Sequence, residues 1–470
     1  MNIKQLIIIG AGPGGYAAAF LAADLGINVT LIDDEKNPGG VCLYRGCIPS
    51  KALLHVAKVI SESEQAKNFG VEFSKPKIKI DKMREWKDDV VKKLTGGLGQ
   101  LSKQRKVEYL QGRAKFINAN SIEVSKQNGE KEILNFENVI IATGSHPTKI
   151  PGLSIDTPRL LDSTSALDIK DIPQSMLVIG GGYIGLELGT VYATLGTKIT
   201  IVEMLPGVLS GADSDLVAVL LKNVQSLFES IMLSTKVVEI KEDKRGIKVI
   251  FEDKDSKRVE KMYDKVLMSV GRKPNSKDLG LENTKVEIDE QGFIKVDNQM
   301  RTAEKGIFAI GDVAGEPMLA HKASHEGRTA VEVIAGHDVI FDPKAIPAVV
   351  FTDPEVAWCG MTESEAKAQD KDVTIAKFPW AASGRAMTLD RSDGLTKLII
   401  DRETERILGV GIVGPGAGDL IAEGVLAIEM NANATDLKLT IHPHPTLSET
   451  LMESAEVFFG QSTHIYKPRK

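Results

Sequence analysis

Two stretches of this chain repeat one pattern, and the repeat restricts the fold more than any other feature. Residues 6–9 form an apolar run, read as a buried parallel strand, that leads into Gly10-Ala11-Gly12-Pro13-Gly14-Gly15. A helix is expected over 17–25, then a second strand over 29–32 ending in Asp33. Residues 176–179 repeat the strand, Gly180-Gly181-Gly182-Tyr183-Ile184-Gly185 the turn, 186–195 the helix, 199–202 the second strand, and Glu203 the acid. The interval from first glycine to acid is the same in both copies, 10 to 33 and 180 to 203. This is the order of a βαβ dinucleotide site. Its glycines permit a tight turn and close approach of backbone to a pyrophosphate seated on the helix N-terminus, and its acid accepts from a ribose hydroxyl. One such fingerprint is a weak signal. Two in full context predict an α/β chain that binds two dinucleotides, against the lesser reading that one copy serves packing alone.

The second acid also speaks to coenzyme identity. A carboxylate at Glu203 suits the free 2′-hydroxyl of NAD and repels the 2′-phosphate of NADP, and Met204-Leu205-Pro206 holds no arginine to receive such a phosphate. NAD is the expected nicotinamide coenzyme.

Two of the three cysteines lie in Gly39-Gly40-Val41-Cys42-Leu43-Tyr44-Arg45-Gly46-Cys47-Ile48-Pro49-Ser50-Lys51. Five residues apart on a regular helix, two Cα atoms are about 8–9 Å apart, whereas a disulfide needs roughly 4.4–6.8 Å. If Cys42 and Cys47 bond, the helix start is distorted, and Gly46 offers the backbone freedom. Zinc would need about four ligands, and no second Cys/His pair of finger spacing is present. A purely structural bridge fits poorly with so few cysteines. The stretch favours a redox-active dithiol beside a nucleotide-bound cofactor.

The remaining chain supplies organisation. Residues 61–110 look helical, with Gly96, Gly97 and Gly99 as interruptions, and 112–137 alternate like a hairpin around Asn128-Gly129. A buried strand over 139–144 runs into Thr143-Gly144, and Pro147, Pro151 and Gly152 suggest a crossover. Strands are expected near 237–240, 247–251 and 265–270, and a later one ends in Gly311-Asp312, a carboxylate at the carboxyl edge of a sheet. From about residue 345 the pattern becomes α+β, with strands near 347–350, 356–359, 373–379, 395–400 and 406–414 and helices at 362–369 and 418–430. His321 and His325 share a helical face without a third ligand, so they read as surface or packing residues and no metal is expected. Cys359 reads as a small buried hydrophobe. In the tail, His442 and His444 are fenced by prolines, with Glu449 at a helix start. A positioned base held through its other ring nitrogen and a rigid turn with incidental histidines are both open there.

A length of 470 residues suggests about three domains. A net charge of −6 without a basic stripe argues against nucleic acid. No apolar run reaches about 18 residues, so no membrane span is expected. The first ten residues enter a strand and glycine turn, unlike a signal peptide, and three cysteines suit a reducing compartment, so a cytoplasmic location is expected.

The cysteine stretch, Ala142-Thr143-Gly144, the loop from Gly180 to Glu187, Phe308-Ala309-Ile310-Gly311-Asp312, and His442-Pro443-His444-Pro445-Thr446-Leu447-Ser448-Glu449 span essentially the whole chain. In this order they resemble the flavoprotein disulfide oxidoreductases (class I pyridine nucleotide-disulfide oxidoreductases), most closely their dihydrolipoamide-oxidising branch. One departure is Tyr44-Arg45, where that branch more often has Asn followed by a small or basic residue. The resemblance implies two Rossmann-like folds, for FAD over 1–148 and NAD over 149–273. It further implies a central domain over 274–346 completing the FAD site, and an α+β dimerisation domain over 347–470. FAD would be held by Gly10, Gly12, Gly14, Gly15, Asp33, Gly40, Val41, Cys42, Lys51, the backbone near Ala114, Thr143, Gly144, Asp312, Leu319 and Ala320. NAD would lie at Gly180, Gly182, Tyr183, Ile184, Gly185, Glu187, Glu203, Val237 and Gly271. Lys51 and Glu187 would pair beside the flavin. Cys42 and Cys47 would form the redox disulfide, with Cys47 nearer the flavin. His444, oriented by Glu449, would serve as base for the partner subunit of a homodimer. The substrate implied is dihydrolipoamide on a lipoyl domain of a 2-oxo acid dehydrogenase complex or on a glycine cleavage carrier protein. Sister reductases for mercuric ion or glutathione fit less well: residues 460–470 lack a further cysteine pair, and Glu203 stands where NADPH users carry basic residues. A non-catalytic scaffold subunit would leave both fingerprints and the dithiol idle.

Overall fold

The protein is described from a computed structural model covering residues 3–466. Its first sheet is built on the strand Ile3–Ile9, which pairs in parallel with Val29–Asp33 on one side and Lys131–Ile141 on the other. Leu6, Ile7 and Ile8 are wholly buried, as a strand covered on both faces requires. Glu108–Asn118 adds in parallel beyond Val29–Asp33, and Ser121–Lys126 pairs antiparallel with it and with Lys131–Ile141. Ile307–Ala309 returns from far along the chain to pair with Lys131–Ile141, which carries Gly311 and Asp312 to the carboxyl edge of this sheet.

The second parallel sheet has the order Ser230–Met232, Lys198–Val202, Ser175–Ile179, Lys265–Met268, Leu160–Leu161. An antiparallel trio, Thr235–Asp243, Gly246–Asp253 and Arg258–Tyr263, packs beside it. The third sheet is antiparallel, in the order Ala348–Val350, Glu355–Gly360, Ile407–Gly414, Leu395–Asp401, Val373–Pro379. Helices Ala417–Glu429 and Glu449–Phe458 pack on it around the buried Trp380 and Cys359.

The helical reading of 61–110 needs correction. Two helices, Cys47–Gln65 and Ile80–Gln104, are separated by a short 3-10 turn, Ala66–Phe69, and irregular chain. Gly70 at φ 83° ends that turn in the left-handed region, and residues 108–110 already belong to a strand. Gly96, Gly97 and Gly99 do not interrupt the second helix. At Gly99 the missing side chain makes room for Asn37, whose Oδ1 would lie 2.3 Å from an added Cβ. Both fingerprint helices also start earlier than expected, as Pro13–Asp24 and Tyr183–Thr194, so their glycine turns run directly into the first helical turn. The strand Arg258–Tyr263 and the helices Ala434–Leu439 and Gly384–Thr388 were not anticipated. The strand exposes five of its six residues and so lacks an alternating apolar face, and the two helices are barely a turn and a half long.

Candidate active site

The distortion expected between the cysteines is a complete break. The helix Gly40–Arg45 stops at Gly46, whose φ −146° and ψ −112° lie outside helical space, and a new helix begins at Cys47. A Cβ at residue 46 would sit 2.9 Å from the Val41 carbonyl oxygen, so glycine is required for the close approach. The break brings the two sulfurs to 2.7 Å as free thiols, with Cys42 donating to Cys47. That hydrogen bond lowers the Cys47 thiol to about 7; burial opposes the shift and the Lys51 ammonium adds to it. The same bond, with burial, pushes the Cys42 thiol far up. In the reduced pair the negative charge resides on Cys47.

A long cleft runs from this turn along the first glycine loop. Of the residues assigned to the first dinucleotide, Gly10, Gly12, Gly14, Asp33, Gly40, Val41, Cys42, Lys51, Thr143, Gly144, Asp312 and Ala320 line it. Gly15 does not, and its role is steric: a Cβ there would lie 1.8 Å from the Gly10 carbonyl oxygen. Leu319 precedes the first turn of the helix Ala320–Ile334, and the Ala114 side chain points into the core beneath. Asp33 accepts from the Ala11 and Glu35 N–H groups at 2.6 and 2.9 Å. Burial raises its pKa, and those backbone donors act against the rise. The helices beginning at Pro13 and Ala320 have no side-chain cap, so their first N–H groups remain available to an anion. Glycine cradle, uncapped helix start and acid together fit a dinucleotide.

The second unit repeats these parts. Glu203 accepts from Gly181 N–H at 2.7 Å and Leu205 N–H at 2.8 Å, and the helix starting at Tyr183 is likewise uncapped. Tyr183 and Ile184 line the cleft of the first unit, whereas Gly180, Gly182, Gly185, Glu203, Val237 and Gly271 lie outside it. Glu187 turns to the first cleft as well. Its buried carboxylate accepts from Lys51 at 2.8 Å, Ser50 at 3.1 Å and Phe351 N–H at 2.9 Å.

Several supporting residues escaped the sequence reading. Arg272 donates to the Ser145 hydroxyl and carbonyl at 2.7 and 2.6 Å, and the Ser145 hydroxyl donates to Asp312. Glu326, paired with the buried Lys322 at 2.6 Å, accepts from Gly311 N–H at 2.7 Å. The i,i+4 spacing of Lys322 and Glu326 was a visible signal, but nothing local pointed it inward.

The two tail histidines separate cleanly. The His442 side chain is buried and engages both ring nitrogens, with Glu423 at 2.7 Å and the Thr440 carbonyl at 2.9 Å. His444 uses Nδ1 on Glu449 at 2.8 Å, and its side chain is 74% exposed. Burial raises the Glu449 carboxyl, yet the Thr446 N–H and the His444 ring outweigh it and hold the group below its usual range. His444 is not among the residues lining the cleft of its own chain. His321 contacts the Pro347 carbonyl at 2.9 Å.

Residues 4–327 match the pyridine nucleotide-disulphide oxidoreductase family, and residues 346–455 match its dimerisation domain. A dihydrolipoyl dehydrogenase of Vibrio cholerae is 50% identical over 98% of this chain and 97% of its own length. The chain belongs to the dihydrolipoyl dehydrogenase family. Another member, from Geobacillus stearothermophilus, is 46% identical, covering 98% of this chain and 97% of its own. Among solved structures, LpdA of Mycobacterium tuberculosis superposes with a TM-score of 0.90 at 26% identity, over 97% of this chain and 100% of that one. An HOCl-induced flavoprotein disulfide reductase, RclA of Escherichia coli, gives 0.87 at 27% identity, again over 97% and 100%. The family works with a flavin and a nicotinamide dinucleotide, in keeping with two fingerprints and a dithiol between them. The match of residues 346–455 to a dimerisation domain points to a homodimer. No helix among the described residues is long and apolar enough to cross a membrane.

Proposed function

We propose that the protein oxidises dihydrolipoamide to lipoamide with NAD⁺ as acceptor, as the shared oxidoreductase of a 2-oxo acid dehydrogenase complex or the glycine cleavage system. The observation that carries this is the Cys42–Cys47 pair on the wall of a dinucleotide cleft, with a family match over the whole chain. FAD belongs to the first glycine loop and NAD to the second, where Glu203 disfavours a 2′-phosphate. On this reading residues 1–148 are assigned to the FAD unit, 149–273 to the NAD unit, 274–346 to the central unit and 347–470 to the dimerisation unit. Three cysteines in 470 residues suit a reducing compartment, and we assign the protein to the cytoplasm.

The substrate arrives as a dithiol and the enzyme begins as the Cys42–Cys47 disulfide. His444 Nε2, from the partner subunit of the homodimer, takes a proton from one substrate thiol, because the thiolate is the attacking species. Glu449 fixes the ring through Nδ1 and favours the imidazolium that forms. The substrate thiolate attacks Cys42 Sγ, and the intramolecular disulfide breaks with Cys47 leaving as thiolate. That leaving group fits the electrostatics, since the Cys47 thiol is lowered to about 7 beside Lys51. The second substrate thiol attacks the sulfur bound to Cys42 and passes its proton to the departing Cys42 sulfur, so that lipoamide leaves with Cys42 as a thiol. Bound FAD supplies the carrier that takes the electron pair from the reduced dithiol and yields it to NAD⁺ as hydride. The Lys51–Glu187 pair keeps a fixed charge at the cleft wall near the cysteines. Steady-state NAD⁺ reduction by dihydrolipoamide, with glutathione as alternative donor and NADP⁺ as alternative acceptor, and oxidation of reduced nicotinamide by mercuric ion run in parallel, tests the assignment. Turnover with glutathione or NADP⁺ and none with dihydrolipoamide would overturn it.

A further inference from the structure

Tyr44 and Arg45 end the short helix that carries Cys42. Their side chains reach back to the segment 34–37 that follows the first acid. The Tyr44 hydroxyl donates to the Asn37 carbonyl at 3.0 Å, and the Arg45 guanidinium pairs with the Glu35 carboxylate. From the opposite side the same segment is gripped by the strand Glu108–Asn118. There the Tyr109 hydroxyl donates to the Glu35 carbonyl at 2.8 Å, Gln111 to the Asp34 carbonyl at 2.9 Å, and Arg113 to the Asp34 carboxylate at 2.6 Å. Gly39 N–H then docks on the Ala11 carbonyl at 2.8 Å, and a Cβ on Gly40 would meet Gly12 Cα at 2.5 Å. The segment is therefore an arch set on the phosphate loop, with one foot on the sheet and the other on the redox helix. Asp33, Asp34, Arg45 and both cysteines line one cleft.

We propose that Tyr44 and Arg45 latch this arch to the redox helix and slow the release of the dinucleotide from the first cleft. The inference rests on the reading that FAD occupies that cleft. Opening the arch on the helix side breaks these two contacts, whereas the sheet-side bonds and the cysteine turn stay whole. The Arg45–Glu35 pair is partly exposed, 42% and 26%, so its effect is modest. Loss of the ion pair or of the hydroxyl bond each speeds release about 2–5-fold, and both together about 10-fold.

The flavin content of the purified wild-type protein comes first: a protein purified without FAD fails the underlying reading, independently of any latch. With FAD bound, its release from holoenzyme is followed by the rise of free-flavin fluorescence after dilution. Arg45→Val, Glu35→Gln and Tyr44→Phe should each release FAD faster, and Arg45→Lys should restore much of the wild-type rate. Arg45→Val combined with Glu35→Gln should release no faster than either alone, because one contact is lost in each. The Tm of the FAD-free variants should match that of FAD-free wild type, since a merely structural role would lower it. Release rates equal to wild type, additive effects of Arg45→Val and Glu35→Gln, or a parallel fall in the FAD-free Tm would each overturn the proposal.

Discussion

Replacing Lys51 by Met isolates the electrostatics that make Cys47 the thiolate. Lys51 lies one turn after Cys47 on the same helix, so the two side chains are neighbours about 6 Å apart. Two unit charges at that distance interact by about 0.7–2.8 kcal/mol for an effective dielectric between about 80 and 20. At about 1.36 kcal/mol per pKa unit this is roughly 0.5–2 units. Lys51 is 33% exposed and shares its charge with Glu187, so screening puts the change in the lower half, about 0.5–1 unit. The sign is upward, because a cation favours the thiolate and its loss favours the thiol. The Cys42 hydrogen bond, the largest contributor, is untouched, so the group does not return fully to the ordinary cysteine value. Starting from about 7, the thiolate fraction at pH 7 falls from about half to between about a tenth and a quarter. Thiolate ultraviolet absorbance of the reduced, flavin-free protein measures this directly. Cys42 is pushed far up and Cys359 to about 12, so neither titrates in the same range. A midpoint unchanged or lowered in Lys51→Met would refute the assignment of the charge to this pair. Glu187→Gln should move the midpoint the other way, because that carboxylate raises Cys47.

Other substitutions probe the remaining parts. His444→Gln should slow dihydrolipoamide oxidation about 10²–10⁴-fold with flavin content unchanged, and an unaltered rate would return the tail to a rigid turn. Glu449→Gln weakens the acceptor that fixes the His444 ring through Nδ1, so dihydrolipoamide oxidation should slow with flavin content unchanged. Glu203→Ser should narrow the preference for NAD⁺ over NADP⁺ by about tenfold in kcat/KM; undiminished discrimination would locate the selectivity elsewhere. Lys397, wholly buried, pairs with Asp213 at 2.7 Å, Asp215 at 2.8 Å and Glu363 at 3.2 Å, tying the second unit to the third sheet. Lys397→Met leaves the buried Asp213 carboxylate without its cation, whereas Lys377 still pairs with Asp215 at 2.8 Å, and should lower unfolding stability by about 3 kcal/mol, read as a clear drop in Tm. Burial raises Asp215, but Lys377 and Lys397 more than offset it, so its folded pKa is depressed. The stability it contributes is therefore present above its unfolded value and lost as pH falls through the folded one, and acid unfolding should follow that course.

Local pattern alone determined a great deal of this protein. Two glycine turns between strand and helix, each followed by an acid at the same interval, can form only one kind of βαβ turn, because the backbone contacts at Gly10 and Gly15 exclude any side chain. The cysteine spacing foretold a break in the helix, and Gly46 was the residue able to make it. Which groups meet across the chain was decided by tertiary structure. The pairing of Glu187 with Lys51, 136 residues earlier, was implied by the family resemblance, and no local pattern points to it. The strand Ile307–Ala309 must pair with Lys131–Ile141 before Asp312 can face the first cleft, and Arg272 holds Asp312 only through Ser145. The tail left His442 and His444 equivalent; burial and a second partner separate them, and those depend on the helix Ala417–Glu429 that presents Glu423. Sequence periodicity reports what neighbours a few residues apart can do, whereas ion pairs and shared clefts depend on distances that only the packed sheets set.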